Sequence, residues 1–172
     1  RVNRSSGRRP GAHLAILRID HPDVLEFVRA KREAGPSLAG IELGISISDA
    51  FLEALDSDGW LALVDAEGKS CGSVRARMLM AEITASIYET GEPCVLFGDT
   101  LERGNPLPEL GRLRATNPCG EQPLLSGESC VLGSLHLPAF ADASGQVDLE
   151  ALGRAAEDGV RLLDDVIEAG VF

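Results

Sequence analysis

The chain has 172 residues, which is enough for one domain with a sizeable buried core. Hydrophobic residues make up 44% of it and charged residues 25%, a composition typical of a soluble globular protein and not of a disordered one. The net charge of -11 argues against a protein that grips nucleic acid through a basic surface. No apolar run is long enough to span a membrane, and the first ten residues lack the pattern of a secretory signal, so we expect a cytoplasmic protein that does not enter the membrane.

Strands and helices alternate along the chain in its hydrophobic pattern. Short apolar runs predict strands over 14–19, 41–47, 94–97 and 134–137, the third of them buried. Capping residues and helical spacing predict helices that begin near 20, 48, 74 and 148. The remaining stretches at 60–71 and 99–114 are predicted as a mixed loop and a polar loop. This alternation indicates an α/β fold.

Three of the predicted helices carry clear end signals. Ser48 and Asp148 are N-cap candidates, and Gly91 is expected to end the helix that begins near 74. The last helix has one apolar stripe, formed by Leu149, Leu152, Ala156, Val160, Leu163 and Ile167. We expect this stripe to be core or a docking surface and not part of the chemistry.

Residues 116–125 form the segment with the most chemical content, Thr-Asn-Pro-Cys-Gly-Glu-Gln-Pro-Leu-Leu. Its two prolines disfavour helix, so we expect an extended chain. Alternate side chains of an extended chain share a face, which would place Asn117, Cys119 and Glu121 on one side. An amide that orients, a thiol that acts as nucleophile or hydrogen-atom donor, and a general base would then meet in one cavity.

The four cysteines are Cys71, Cys94, Cys119 and Cys130, and no two of them form a Cys-x-x-Cys pair. This usage fits a reducing compartment better than a disulfide scaffold. A free cysteine is usually a small buried hydrophobe, which we expect of Cys94, but the neighbours of Cys119 favour function. A zinc site from Cys119, Cys130 and His136 has suitable ligand types but lacks the short paired spacings of such sites.

Residues 116–125, with the Cys-x-Leu-Gly-Ser run that begins at Cys130, resemble the active-site finger loop of ribonucleotide reductases, most closely the adenosylcobalamin-dependent class II. The resemblance implies that Cys119 carries the thiyl radical and takes hydrogen from the 3′ carbon of the ribose. It implies that Glu121 takes the proton of the 3′ hydroxyl and that Asn117 binds the substrate hydroxyls. Cys130 would be one half of the reducing dithiol, with its partner before residue 1.

The start of the chain resembles the same family at Gly7 to Ala12, at Asp20-His21-Pro22-Asp23 and at Ala30-Lys31-Arg32-Glu33. In the family the glycine-rich loop and the loop after the helix belong to the specificity-effector site, so the resemblance implies a deoxynucleoside triphosphate near Arg8, Arg9 and Gly11. The loop at 33–40 departs from the family pattern, because Ala39 and Glu42 stand where the family usually has asparagine. Considered without the resemblance, Arg8 and Arg9 are solvated loop charges.

The resemblance also implies the wider architecture and reaction. Residues 1–172 would be a single, partial domain of the ten-stranded α/β barrel, with an effector-loop-like region at 1–47 and the finger loop at 111–137. The substrate would be a ribonucleoside di- or triphosphate, the cofactor adenosylcobalamin and the reductant a thioredoxin-like protein, in a homodimer. The alternative is a truncated, non-catalytic reductase-like module that binds nucleotide or another subunit, because the partner cysteine and the later phosphate-binding loops are missing from these residues.

Overall fold

The computed structural model describes residues 11–170, except for the side chains of residues 35 and 36. Contacts divide the chain into two compact units, Arg1–Gly127 and Glu128–Phe172. The mixture of helices and strands confirms an α/β fold. The single domain over 1–172 and its subdivisions at 1–47 and 111–137 stay predictions; the second of these ranges includes the division after Gly127.

The first unit holds most of the regular structure. In chain order its elements are β1 (Leu14–Arg18), α1 (Val24–Ala34), a 3₁₀ turn (Gly35–Leu38), β2 (Glu42–Ile47), α2 (Asp49–Asp56), β3 (Trp60–Val64), β4 (Ser70–Arg75), α3 (Ala76–Thr90), β5 (Cys94–Phe97), α4 (Gly98–Arg103), β6 (Ala115–Thr116) and β7 (Pro123–Leu124). Strands β1, β2 and β5 form a parallel sheet with β2 in the middle. Right-handed crossovers through helices are the usual way to join such strands, which explains why α1 and α3 precede β2 and β5.

The hydrophobic core lies between one face of this sheet and the helices. Its buried members come from α1, β2, α2, β3, β4 and α3 and from the residue that follows β1: Ile19, Val24, Val28, Ile45, Ile47, Phe51, Leu61, Val74, Ala76, Leu79 and Ile83. The opposite face of β2 carries the small residues Gly44 and Ser46, since side chains alternate along a strand. That face therefore has room for another segment of chain.

The end signals predicted at Ser48 and Gly91 are confirmed in this unit. The Ser48 hydroxyl accepts a hydrogen bond from the Phe51 N–H at 3.2 Å and begins α2. At the start of α1, the His21 Nδ1 accepts from the Asp23 N–H at 3.1 Å. Helix α3 ends at Gly91, whose left-handed conformation lets its N–H reach the Ile87 carbonyl.

The mixed loop predicted over 60–71 is wrong, because β3 and β4 form an antiparallel hairpin there. Leu61 and Val74 pair across it and bury their side chains in the core. On the outer side, the Arg75 guanidinium lies 5.0 Å from the centre of the Trp60 ring, a cation–π contact. These cross-strand pairs hold Ser70 to Ser73 in a strand that their own β propensity does not predict.

Two further predictions need correction in the first unit. The polar loop predicted at 99–114 begins with the short helix α4 over Gly98–Arg103. The strand at 94–97 exists, but it is not buried, because β5 is an edge of the sheet and leaves Cys94 and Phe97 exposed. Burial of such a strand depends on neighbours on both sides, which its own sequence does not reveal.

The second unit consists of an irregular segment, a 3₁₀ turn at Leu137–Phe140 and the helix α5 (Leu149–Ala169). The strand predicted at 134–137 is wrong, since Pro138 lies in the first turn of the 3₁₀ helix and fixes its φ. Asp148 caps α5 as predicted, accepting from the Ala151 N–H at 2.9 Å. No helix within residues 11–170 is long and apolar enough to cross a membrane.

Candidate active site

The segment with the Asn-Pro-Cys-Gly-Glu sequence is a tight hairpin. Strands β6 and β7 pair through Ala115 with Leu124 and through Thr116 with Pro123. Between them the Gly120 N–H donates to the Asn117 carbonyl at 3.0 Å, so the chain reverses within four residues. Gly120 has a φ of 85°, which glycine adopts without the strain of other residues.

Asn117 closes this hairpin with its side chain as well as its backbone. Its N–H donates to the Gln122 carbonyl at 3.1 Å, and its Oδ1 accepts from the Gln122 N–H at 3.0 Å. The side chain is buried, with 9% of the residue exposed. Asn117 therefore fixes the two ends of the turn that carries the thiol, which leaves its Nδ2 group as the donor for any ligand.

Cys119 and Glu121 are both exposed at this turn, whereas Asn117 is buried. The expected extended chain, with all three side chains on one face, is wrong because the backbone turns between Asn117 and Gly120. The turn instead displays the thiol at its tip, with a carboxylate two residues later. The Cys119 thiol and the Glu121 carboxylate are thus two residues apart and both exposed; their chemical roles stay predictions.

The stem of the hairpin packs on the face of the sheet that the helices leave free. Leu113, Arg114 and Ala115 line one narrow gap together with Ile16 and Leu96 of the sheet. Ser46 of β2 lines the same gap, so a large side chain at this position would crowd the stem. The sheet thus determines where the hairpin begins.

A cleft of about 310 Å³ lies at the carboxyl ends of the parallel strands, where α/β sheets commonly bind ligands. Two of its three basic residues have acidic partners, since Arg18 lies 2.9 Å from Asp20 and Arg112 lies 3.7 Å from Glu102, whereas Arg114 makes no ion pair with the described residues. These pairs reduce the attraction for a phosphate.

The loop at 33–40, which corresponds to the predicted effector region, is tied to the sheet. The Lys31 ammonium donates to the Leu38 carbonyl at 3.1 Å and lies 3.0 Å from a carboxylate oxygen of Glu92. The other Glu92 oxygen accepts from the Leu43 N–H at 2.8 Å. Of the predicted effector residues, Gly11 is exposed, and Arg8 and Arg9 lie outside the described residues.

The cysteines do not form disulfides with one another in the described structure. Cys130 is half-buried in the second unit, and Cys71 and Cys94 are exposed. The core position expected of Cys94 is therefore wrong, although its partial burial and the nearby Glu42 and Glu92 raise the pKa of its thiol. Within residues 11–170, no group of three or more His, Cys, Asp or Glu side chains is arranged to hold a metal ion.

Residues 1–172 match the family described as ribonucleotide reductase, barrel domain. The chain belongs to this family. It is 44% identical over 170 residues to the vitamin B12-dependent ribonucleoside-diphosphate reductase of Mycobacterium tuberculosis, covering 96% of this chain and 24% of that protein. A protein of the same name from Thermoplasma acidophilum is 35% identical over 172 residues, covering 99% of this chain and 22% of the relative. The chain thus spans about a quarter of the length of these curated relatives.

The structure of this reductase barrel segment adds residues that the sequence reading missed. Gln122 contributes its backbone N–H and carbonyl to the clamp on Asn117. Glu102 holds the stem through a hydrogen bond to the Leu113 N–H at 2.8 Å. A signal for the turn was present, since asparagine, proline and glycine at 117, 118 and 120 are the residues that type I turns favour at their first, second and fourth positions. No comparable signal marked Glu102.

Proposed function

We propose that this chain carries the radical cysteine of an adenosylcobalamin-dependent ribonucleotide reductase. The observation that supports it most directly is the hairpin, which displays the Cys119 thiol at its tip and clamps its base through Asn117 and the Gln122 backbone. Membership of the ribonucleotide reductase barrel family over the whole 172 residues gives this thiol its chemical context. The three-stranded parallel sheet is proposed to be part of the ten-stranded α/β barrel.

The proposed reaction reduces a ribonucleotide to a 2′-deoxyribonucleotide. Cys119, as a sulfur-centred radical, takes the hydrogen atom from the 3′ carbon and returns one at the end, which regenerates its radical. Glu121 takes the proton of the 3′ hydroxyl, and the Nδ2 group of Asn117 donates a hydrogen bond to a substrate hydroxyl. A thiol suits this role because its S–H bond is broken and remade reversibly.

The overall change balances through a dithiol. The 2′ hydroxyl leaves as water, and two thiols lose two electrons and two protons to become a disulfide. Cys130 is proposed as one of the two thiols; its partner cysteine is unassigned. A thioredoxin-like protein would reduce the disulfide again by thiol–disulfide exchange, and the working protein is proposed to be a cytoplasmic homodimer.

The described residues fit the cofactor that this reaction needs in one respect: the Cys119 thiol is exposed and makes no disulfide, so a radical source has access to it. Adenosylcobalamin, when bound, supplies a cobalt–carbon bond that breaks homolytically, chemistry that ordinary side chains do not offer. Cys119 is the residue of this chain that would exchange a hydrogen atom with it. Residues that hold the corrin ring stay unassigned.

The substrate is proposed to be a ribonucleoside di- or triphosphate, and the names of the M. tuberculosis and T. acidophilum relatives favour the diphosphate. A deoxynucleoside triphosphate is proposed to act as effector near Arg8, Arg9 and Gly11. The tie from Lys31 to the Leu38 carbonyl supports a loop at 33–40 that has a defined position relative to the sheet. Such a loop can relay effector binding to the substrate site.

The test compares the protein expressed from its whole gene with its Cys119→Ser variant. We expect the wild-type protein to reduce a ribonucleotide in the presence of adenosylcobalamin and a dithiol, and the variant to fall to background. Cys71→Ser is the matched control, since Cys71 is an exposed thiol on the β3–β4 hairpin with no proposed role. Turnover that survives Cys119→Ser would overturn the proposal. Nucleotide binding without any turnover in the wild-type protein would favour the non-catalytic module instead.

A further inference from the structure

Helix α4, which leads from the sheet to the stem of the hairpin, is fixed in place at both ends. Near its start, the Asp99 carboxylate accepts a hydrogen bond at 2.8 Å from the backbone N–H of Asp49, the first residue of α2. Near its end, the Arg103 guanidinium pairs with the Asp49 carboxylate. Gly98 lies so close to β2 that an added Cβ would be 2.3 Å from the Ser46 Oγ. The helix is therefore held against both α2 and β2.

Glu102 connects this helix to the stem. One carboxylate oxygen accepts from the Leu113 N–H at 2.8 Å, and the other lies 3.7 Å from the Arg112 Nε. The Glu102 side chain is three-quarters buried, with 25% of it exposed, so water competes little for these contacts. Leu113 lies two residues before β6, and its position sets where the hairpin starts.

The loop between Glu102 and Leu113 has its own internal bonds. The Asn105 amide donates to the Gly111 carbonyl at 2.9 Å, and its oxygen accepts from the Leu107 N–H at 3.0 Å. These bonds keep the loop closed but do not reach the sheet. The position of the stem relative to the sheet thus depends on the Glu102 contact and on the packing of Leu113, Arg114 and Ala115 beside Ile16 and Leu96.

We propose that Glu102 is a positioning residue for the chemistry at Cys119. By accepting a hydrogen bond from the Leu113 N–H, Glu102 fixes the position of the hairpin relative to the sheet, and with it the position of the thiol. The proposal rests on the function proposed above. Hydrogen transfer requires reacting atoms within about 3–3.5 Å, and a shift of about 1 Å can lower the rate roughly 100-fold.

Three variants of the protein expressed from its whole gene test this role. Glu102→Ala removes the acceptor for the Leu113 N–H, whereas Glu102→Gln keeps an acceptor oxygen of the same reach without the charge. Glu109→Ala is the matched control, because Glu109 is an exposed carboxylate of the same loop without a side-chain hydrogen bond or ion pair to the described residues. Two readouts are needed: steady-state ribonucleotide reduction and amide hydrogen exchange at Leu113 and across β6 and β7.

For Glu102→Ala we expect kcat to fall about 10- to 100-fold with KM for the ribonucleotide within about twofold, and exchange at Leu113 to accelerate. Glu102→Gln should recover kcat to within about threefold of wild type, and Glu109→Ala should match wild type in both readouts. Equal kcat for Glu102→Ala and Glu109→Ala overturns the inference. So does a failure of Glu102→Gln to recover kcat if its exchange at Leu113 is normal.

The two readouts also separate this inference from the proposed function. A wild-type protein without reductase activity contradicts the proposed function, while faster exchange at Leu113 in Glu102→Ala would still show that Glu102 holds the stem. A wild-type protein with activity, combined with unchanged kcat and exchange in Glu102→Ala, contradicts the inference alone. If Glu102→Ala does not fold, the comparison of Glu102→Gln with Glu109→Ala decides, since loss of kcat with normal exchange would contradict positioning through the acceptor oxygen.

Discussion

The Oδ1 atom of Asn117 accepts a hydrogen bond from the backbone N–H of Gln122 at 3.0 Å, across the turn that carries Cys119. The Asn117 side chain thus closes the turn between β6 and β7. The bond has a consequence for the proposed chemistry, because one end of the amide is already engaged and only its Nδ2 group can reach a substrate. Asn117 would hold the loop and bind the substrate at the same time.

Replacing Asn117 should therefore separate its two roles. Asn117→Ala removes the acceptor for the Gln122 N–H, and a hydrogen bond of this kind contributes about 0.5–1.5 kcal/mol. We expect exchange of the Gln122 amide to accelerate up to about tenfold, since 1.4 kcal/mol corresponds to a factor of ten. Asn117→Asp keeps an acceptor oxygen and should retain slow exchange while losing the Nδ2 donor. Fast exchange in Asn117→Asp would contradict the assignment of Oδ1 as the acceptor.

The close approach of Gly98 to β2 yields a second prediction. A Cβ at Gly98 would lie 2.3 Å from the Ser46 Oγ, whereas its next nearest atoms, the Ile47 carbonyl oxygen and the Ser46 Cβ, are 3.6 and 3.7 Å away. Gly98→Ala should destabilise the first unit by about 1–3 kcal/mol through overpacking. Adding Ser46→Ala removes the clashing oxygen and should recover most of that loss.

A double-mutant cycle measures this coupling from urea unfolding midpoints of the four proteins. The expected coupling is favourable and close in size to the loss in Gly98→Ala alone. Additive effects of the two substitutions would show that the alanine is accommodated by a shift of α4 instead. Gly72→Ala is a suitable control, because a Cβ at Gly72 has no neighbour within 4 Å.

Local sequence signals predicted the helices well because each end signal acts through a hydrogen bond between residues only a few positions apart. Ser48 and Asp148 cap their helices, and Gly91 ends α3, by bonds that span three or four residues. Such interactions depend on the chain nearby and little on the rest of the fold. Helix ends are therefore the part of this structure that the sequence predicts most directly.

The β3–β4 hairpin and the short helix α4 were missed for the opposite reason. Val74 is buried in the core with Leu61 opposite it across the hairpin, and Ser70 to Ser73 have little tendency to form a strand alone. Helix α4 has no side-chain cap of its own and is held through Asp49, fifty residues earlier. Both elements depend on tertiary partners that the sequence does not identify.

For the candidate site, the sequence predicted the residue types but not their geometry. Its residue types, Asn117, Cys119 and Glu121, were visible in the sequence, but their shared face was not found because the alternation rule holds only for a chain that stays extended. A four-residue turn replaces that geometry, and the turn residues were themselves visible. Gly120, between Pro118 and Pro123, favours a turn that the prolines alone do not indicate.

The raised pKa of Cys94 predicts slow alkylation at neutral pH. Partial burial is the larger cause, and the negative charge of Glu42 adds to it, because both disfavour the thiolate. We expect the rate of iodoacetamide labelling at Cys94, followed by peptide mass spectrometry, to rise with pH through a midpoint above the ordinary thiol value of 9.0. Glu42→Gln should move the midpoint to lower pH, and Glu67→Gln should leave it unchanged. A midpoint below 9.0 in the wild-type protein would contradict the assignment.

The carboxylate of Glu82 links α3 to α1 and predicts a pH dependence of stability. It receives two hydrogen bonds from the Arg29 guanidinium, at 2.7 and 3.1 Å, and these bonds hold the pKa of Glu82 below its usual value of 4.5. Because the folded pKa is the lower one, the stabilisation is present above the unfolded pKa and is lost as the pH falls through the folded value. Glu82→Gln should therefore lower the thermal unfolding midpoint at pH 7 but not at a pH well below 4.5.

The comparison that checks this is the difference in thermal midpoint between wild type and Glu82→Gln, measured from pH 7 down to pH values below 4.5. Glu67→Gln serves as the control, since Glu67 is an exposed carboxylate in the β3–β4 turn, away from any helix end, and should give no difference at any pH. Added salt should narrow the gap at pH 7, because Arg29 and Glu82 are only partly buried and their attraction is screened. A gap that persists unchanged at low pH would mean that Glu82 stabilises the helix pair through packing of its side chain and not through its charge.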